Sequence, residues 1–139
     1  MSLLLAMILA APSASGAASA PAPSGKIVLV GLSGPEDVQK LMGPYHHALL
    51  MKKTGRLKDI AIVVYGRAVA ALSTKAKGIP EQVRNAIREA HAAGVPIYVC
   101  EAALANAGIE DVMPGAQRVP QGAAKIAKLV SEGFVPMQY

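Results

Sequence analysis

Three short runs of apolar, largely β-branched residues constrain the fold of this chain more than any other feature. They lie at residues 26–31, 59–65 and 95–99. Their apolar residues are nearly consecutive rather than alternating with polar ones, which is typical of strands buried on both faces of a parallel sheet. Helical patterns separate the runs, so we expect a parallel α/β sheet with right-handed crossovers.

Two helices are predicted between these strands. The first opens at residues 35–37, where a proline suits the first turn and two acidic residues face the positive end of the helix dipole. Inside this helix, the neighbouring Gly43 and Pro44 predict a kink or a break into two pieces. The second helix spans residues 80–93 and ends at Gly94, since glycine commonly ends helices.

The C-terminal part of the sequence adds two more strands. After a short helix at residues 101–107, we expect a strand at 116–119, a helix at 121–130 and a last strand at 134–139. Pro136 lacks a backbone N–H and therefore keeps the last strand at the edge of the sheet. The predicted core consists of apolar side chains from both strands and helices, namely Ile27, Leu29, Ile62, Val64, Val83, Ile87, Ile97, Val99, Ile126 and Leu129.

Residues 1–25 differ from the rest of the chain because they contain no charged residue. Residues 3–11 are continuously apolar, but nine residues of helix rise only about 13–14 Å, which is too short to span a bilayer. Small residues follow, so we interpret the segment as a signal peptide, or as a flexible Ala/Pro-rich tail because no Lys or Arg precedes the apolar run. The α/β domain then comprises residues 26–139. A signal peptide would make the protein periplasmic or exported, and a tail would leave it cytoplasmic.

The composition excludes several kinds of site. A single cysteine excludes an intrachain disulfide and a Cys-rich zinc cluster, and the three histidines, two of them adjacent, do not form a compact metal site. We therefore predict neither a metal nor a cofactor. The net charge of +5 would suit an acidic partner, but aromatic residues make up only 4% of the chain, which leaves few rings on which bases could stack. Nucleic-acid binding is not expected.

Cys100 is the main candidate for a functional residue. It ends the third predicted strand, and in open parallel α/β sheets the functional crevice lies at the carboxyl ends of the strands. A helix begins immediately after it, and helix N-terminal amides favour the thiolate, which is the nucleophilic form. Glu101 opposes that charge, whereas Arg67 would offset it if the second and third strands are adjacent. The alternative is that Cys100 is a small, buried apolar residue.

Four segments of the sequence resemble a known family. Residues 94–109 read Gly-Val-Pro-Ile-Tyr-Val-Cys-Glu-Ala-Ala-Leu-Ala-Asn-Ala-Gly-Ile and resemble the central motif of the DsrE/DsrF-like family. Residues 64–72, 113–122 and 132–136 are similar to further segments of that family. The resemblance covers residues 26–139 and implies a single-domain, flavodoxin-like fold with a five-stranded parallel sheet and helices on both faces. It also implies assembly into homotrimers or hexamers.

The resemblance suggests a function for Cys100. In sulfur-trafficking members of the family, a cysteine at this position carries sulfur as a persulfide and passes it to a small carrier protein. With no second cysteine in the chain, intermolecular transfer is favoured over internal disulfide chemistry. Gly66 would let a sulfur donor approach the backbone closely. Ser33 belongs to a loop that either binds an anion on helix amides or is simply a turn.

A second function is compatible with the same sequence. The protein would then be a non-catalytic oligomeric module that binds a small ligand, and Cys100 would be structural. A carrier needs no turnover without its partner, so the sequence leaves open whether the protein is an enzyme.

Overall fold

A single sheet of five parallel strands organises the part of the chain that the computed structural model describes, residues 21–139. The strands, in chain order, are β1 (Lys26–Gly31), β2 (Asp59–Val64), β3 (Ile97–Cys100), β4 (Ala116–Val119) and β5 (Phe134–Gln138). They lie side by side in the order β4-β3-β2-β1-β5, and every pairing is parallel. The predicted parallel α/β sheet, with its last strand at an edge, is confirmed.

Helices cover both faces of this sheet, as predicted. They are α1 (Val38–Lys53), a 3₁₀ helix (Gly66–Leu72), α2 (Glu81–Ala92), α3 (Glu101–Ala107) and α4 (Gly122–Ser131). The chain crosses the sheet in one direction from β1 to β4 and then returns to β5. Because such crossovers are right-handed, the return places α4 on the face opposite the other helices.

The side chains of each strand alternate between two apolar clusters, one on each face. Leu29, Ile62 and Ile97 belong to the larger cluster, which lies under α1, α2 and α3. Val28 and Val63 belong to the smaller cluster under α4. The strands are therefore buried on both faces, which explains their continuous apolar sequences.

The predicted core is confirmed with two partial exceptions. Eight of its ten residues are buried, whereas Ile27 and Ile126 are only half-buried. Ile126 lies on α4, which in residues 21–139 is the only helix packed on its face of the sheet. Ile27 lies opposite Val135 of the edge strand β5, and Val135 is itself 64% exposed.

Helix α1 differs from its prediction in two ways. It continues unbroken through Pro44, so the alternative of two pieces is wrong. Pro44 is buried, and its ring packs against Gly31 of β1, which offsets the helical hydrogen bond that proline removes. The helix also begins later than expected, because Asp37 is its N-cap and its carboxylate accepts a hydrogen bond from the Lys40 amide at 3.1 Å. Residues 35–37 therefore precede the helix.

The predicted signal peptide or tail, residues 1–25, lies mostly outside the described residues. Just before β1, the Ser24 amide donates to the carbonyl of Arg56 at 2.9 Å, and the Lys58 amide donates to the carbonyl of Gly25 at 2.9 Å. Within residues 21–139, no helix combines the length and the apolar character needed to cross a membrane.

Candidate functional site

Cys100 lies where β3 ends and α3 begins. It is both the last residue of the strand and the N-cap of the helix, and its Sγ accepts a hydrogen bond from the Ala103 amide at 3.4 Å. The thiol in turn donates toward the carbonyl oxygen of Pro120, 4.0 Å away. Only 6% of Cys100 is exposed. The sulfur is therefore held at a helix start, just beneath the protein surface.

The start of α4 packs directly against Cys100. Gly122 is the first residue of this helix and is buried. A Cβ at this position would lie 2.8 Å from the Cβ of Tyr65 and 3.3 Å from the Cβ of Cys100, so glycine allows the close approach. Two helices, α3 and α4, thus begin beside the same thiol. The positive ends of their dipoles favour negative charge there.

A positively charged side chain lies on the same side of the sheet. Tyr98 precedes Cys100 by two residues in β3, so both side chains point to the α4 face. The Nζ atom of Lys125 lies 4.1 Å from the centroid of the Tyr98 ring. Lys125 also lines a cavity of about 290 Å³ together with Pro120 and Gln121, the segment that covers the thiol.

Arg67 and Glu101 make their contacts elsewhere. Strands β2 and β3 are adjacent, as a role for Arg67 beside the thiol requires. Its guanidinium, however, pairs with the carboxylate of Glu36, with 3.1 Å between Nη2 and Oε2, and both side chains are substantially exposed. Glu101 is exposed and lines a groove that includes Arg118 but not Cys100. Within the described chain, neither Arg67 nor Glu101 forms a hydrogen bond or ion pair with Cys100.

The structure brings Gly66 and Ser33 to one surface loop region. Gly66 is exposed and has a φ of +60°, a conformation that favours glycine. A Cβ on it would lie 3.5 Å from the carbonyl oxygen of Leu32, the neighbour of Ser33. Ser33 is half-buried in the loop after β1. Gly66 directly precedes Arg67 in the chain, and Ser33 lies three residues before Glu36, the ion-pair partner of Arg67.

Sequence reasoning missed the residues that enclose the thiol. Tyr65 follows β2, Pro120 follows β4, and Gly122 begins α4, so they come from three separate segments. The signal that could have found them is the family resemblance, because Tyr65 lies in the similar segment 64–72, and Pro120 and Gly122 lie in the similar segment 113–122. In residues 21–139, no group of three His, Cys, Asp or Glu side chains is placed to bind a metal ion.

A family model covers almost all of the described chain. The model of the DsrE/DsrF-like family matches residues 25–138. The chain belongs to the DsrE/DsrF-like family. The family resemblance found in the sequence is thereby confirmed. No curated protein matches the chain.

Three solved structures share the fold of this DsrE-like protein. The ychN protein from E. coli superposes with a TM-score of 0.69 at 18% identity, covering 84% of this chain and 100% of the other. MTH1491 from Methanobacterium thermoautotrophicum, described as a protein of unknown function, gives 0.64 at 18% identity with the same coverage. BT1422 from Bacteroides thetaiotaomicron, also described as of unknown function, gives 0.64 at 20% identity, covering 82% and 94%. At 18–20% identity, this similarity shows a shared fold and nothing more.

Proposed function

We propose that this DsrE-like protein is a sulfur carrier that holds sulfane sulfur as a persulfide on Cys100. The observation that carries the proposal is the position of Sγ, which lies at a parallel strand end, accepts the Ala103 amide and adjoins the start of α4. Backbone dipoles in this arrangement stabilise a thiolate and, after loading, the terminal persulfide anion. Membership of the DsrE/DsrF-like family supports the same chemistry.

Loading and unloading are exchanges between sulfur atoms. The Cys100 thiolate attacks the terminal sulfur of a donor persulfide, R–S–SH. A new S–S bond forms at Sγ, the donor S–S bond breaks, and its electron pair leaves on the inner donor sulfur, which departs as the thiolate R–S⁻. The transferred sulfur brings its proton, so the product is the Cys100 persulfide, which then loses that proton to give the anion. An acceptor thiolate then takes the terminal sulfur and releases the Cys100 thiolate. There is no net oxidation, so the reaction needs no second cysteine in this chain.

We further propose that the protein is a homotrimer or hexamer that passes sulfur to a small carrier protein. Exposed apolar side chains support self-association, and they are Leu50, Val130, Val135 and Met137. Light scattering at micromolar concentration is expected to give three or six times the mass of one chain. The mass of a single chain would contradict this assembly.

The burial of Cys100 favours a second candidate function. A side chain that is 6% exposed is shielded from donors, as expected for a structural cysteine. The protein would then be a non-catalytic oligomeric module that binds a small ligand. The two candidates differ in whether Cys100 reacts in the folded protein.

Intact-mass spectrometry distinguishes them. Wild type and Cys100→Ser are incubated with inorganic polysulfide or with a persulfide-loaded sulfurtransferase. A carrier gains the mass of one sulfur atom on wild type only, and an acceptor thiol removes it. If wild type gains nothing from either donor, and its thiol resists alkylation until the protein unfolds, the sulfur-carrier proposal fails and the binding module is favoured. Cys100→Ala provides a second control in case the serine hydroxyl disturbs folding.

A further inference from the structure

A concave, lysine-rich surface lies at the opposite end of the sheet from Cys100. It forms a cavity of about 480 Å³ where β1, β2 and β5 begin and where α1 and α4 end. We call it the basic groove. The lysines that line it are Lys26, Lys52, Lys58, Lys125 and Lys128.

The positive charge of the basic groove is only partly neutralised. Two carboxylates, Asp59 and Glu132, line the groove beside its five lysines, so the lining carries +3 of the chain's net +5. Lys26 is already engaged, since its Nζ lies 3.9 Å from the Asp59 carboxylate and donates to the Glu132 carbonyl at 3.1 Å. In the described part of the chain, the other four lysines have no carboxylate within 4.0 Å.

Only two of the lysines in the basic groove lie where they would stabilise the end of a helix. Lys52 and Lys128 lie in the last turns of α1 and α4, where a cation offsets the negative end of the helix. Lys58 precedes β2, and Lys125 lies in the first half of α4, so neither is explained in this way. These two lysines are the ones left to interact with an external anion.

The floor of the basic groove is apolar and partly aromatic. The rings of Tyr98 and Phe134 are half-buried, and the side chain of Leu129 lies between strand and helix. Lys125 extends over the Tyr98 ring at 4.1 Å, so the ammonium group and the aromatic surface are neighbours. The volume falls within the range of roughly 300–1,000 Å³ that is typical of small-molecule sites.

We propose that the basic groove binds a small organic phosphate. Lysine ammonium groups bind phosphate as point charges, and Lys58 and Lys125 hold the phosphate most directly. The apolar part of the ligand lies against Tyr98 and Phe134. The site lies at the amino ends of the strands, away from Cys100, although Lys125 also lines the cavity beside Pro120 and Gln121. Phosphate binding in the basic groove requires no reaction of the thiol, so its test does not depend on the sulfur-carrier proposal.

A titration of the full-length protein with phenyl phosphate at neutral pH, followed by ¹H–¹⁵N NMR, tests the proposal. We expect saturable shifts at the amides of residues 57–61, 94–98 and 125–134. Inorganic phosphate should shift the same amides with weaker affinity, because it lacks the apolar part, and phenol should shift none of them. An absence of saturable shifts would overturn the proposal, and so would inorganic phosphate binding as tightly as phenyl phosphate.

Paired variants separate a built site from general attraction to a basic protein. The double variant Lys58→Gln/Lys125→Gln is expected to weaken phenyl phosphate binding about tenfold. The control Lys40→Gln/Lys77→Gln removes the same charge outside the groove and should change the affinity by less than about twofold. Equal losses in both variants, or wild-type affinity in the groove variant, would overturn the assignment. The dispersion of each NMR spectrum shows that the variants are folded.

Discussion

The substitution Gly122→Ala tests whether the start of α4 controls access to Cys100. A Cβ at this position would lie 2.8 Å from the Cβ and 3.1 Å from the Cγ of Tyr65, and 3.3 Å from the Cβ of Cys100. These are the inner atoms of both side chains, so rotation about their outer bonds cannot relieve the contact. The backbone at the start of α4 must therefore move away from the sheet.

Two terms of opposite sign determine the change in stability. An additional methyl group in a close-packed site costs about 1–3 kcal/mol. Alanine in place of glycine gains up to about 1 kcal/mol of helix propensity, and less at the first position of a helix. We expect the free energy of unfolding of Gly122→Ala, measured by urea denaturation, to fall by about 1 kcal/mol.

The same displacement should make the thiol more reactive. If the destabilisation is local, about 1 kcal/mol increases the population in which α4 is displaced about fivefold. Alkylation of Cys100 by iodoacetamide in the folded protein should then be faster by a similar factor. Glu89→Gly, on the exposed side of α2, is the control, because it destabilises a helix without adding a contact near the thiol. If Gly122→Ala is as stable as wild type and reacts at the wild-type rate, then close packing of α4 does not control access to Cys100.

Three further predictions test the fold and the N-terminal segment. Burial raises the pKa of Tyr45, so the folded state holds that proton more tightly than the unfolded state, and the free energy of unfolding falls as the pH rises above about 10. In urea denaturation at several pH values, Tyr45→Phe should show a shallower fall, and the same fall as wild type would contradict this. A Cβ on Gly43 would lie 2.6 Å from the Tyr139 ring, so Gly43→Ala should raise the free energy of unfolding by about 1 kcal/mol in a Tyr139→Ala protein but not in the wild type. An equal change in both proteins, measured by urea denaturation, would contradict this contact. Mass mapping of protein from periplasmic and cytoplasmic fractions should show that residues 1–25 are removed on export, and an intact segment in both fractions would exclude a cleaved signal peptide.

The strands could be predicted because a strand that is buried on both faces has a nearly continuous apolar sequence. The runs at residues 26–31 and 59–65 correspond to β1 and β2 almost residue for residue, since residues 27–30 and 60–64 all face one of the two apolar clusters. The break at Pro44 could not be judged locally. Its ring packs against Gly31 of a strand in the sheet, and this tertiary contact decides the outcome.

The candidate site could be predicted only in part, because tertiary contacts bring most of its residues together. Cys100 stands at a strand-to-helix boundary that a local pattern reveals. Its neighbours are Tyr65, directly after β2, and Gly122, the first residue of α4, and only the strand order brings them together. Arg67 shows that adjacent strands do not by themselves produce a contact. It follows β2, which lies beside β3, and this adjacency favoured a contact with the thiol. The structure instead pairs it with Glu36, a residue on the loop after β1.

The burial of Cys100 and its proposed chemistry are two consequences of one arrangement. The helix starts that favour an anionic sulfur also cover it, because the backbone amides must approach the thiol closely to act on it. For a sulfur carrier this cover has a use, since a persulfide open to solvent would lose its sulfur to any free thiol. Transfer would then require the partner to displace the segment 120–122. In Gly122→Ala, a carrier should accordingly load faster and also lose its sulfur faster to free thiols, whereas a structural cysteine should show faster alkylation alone.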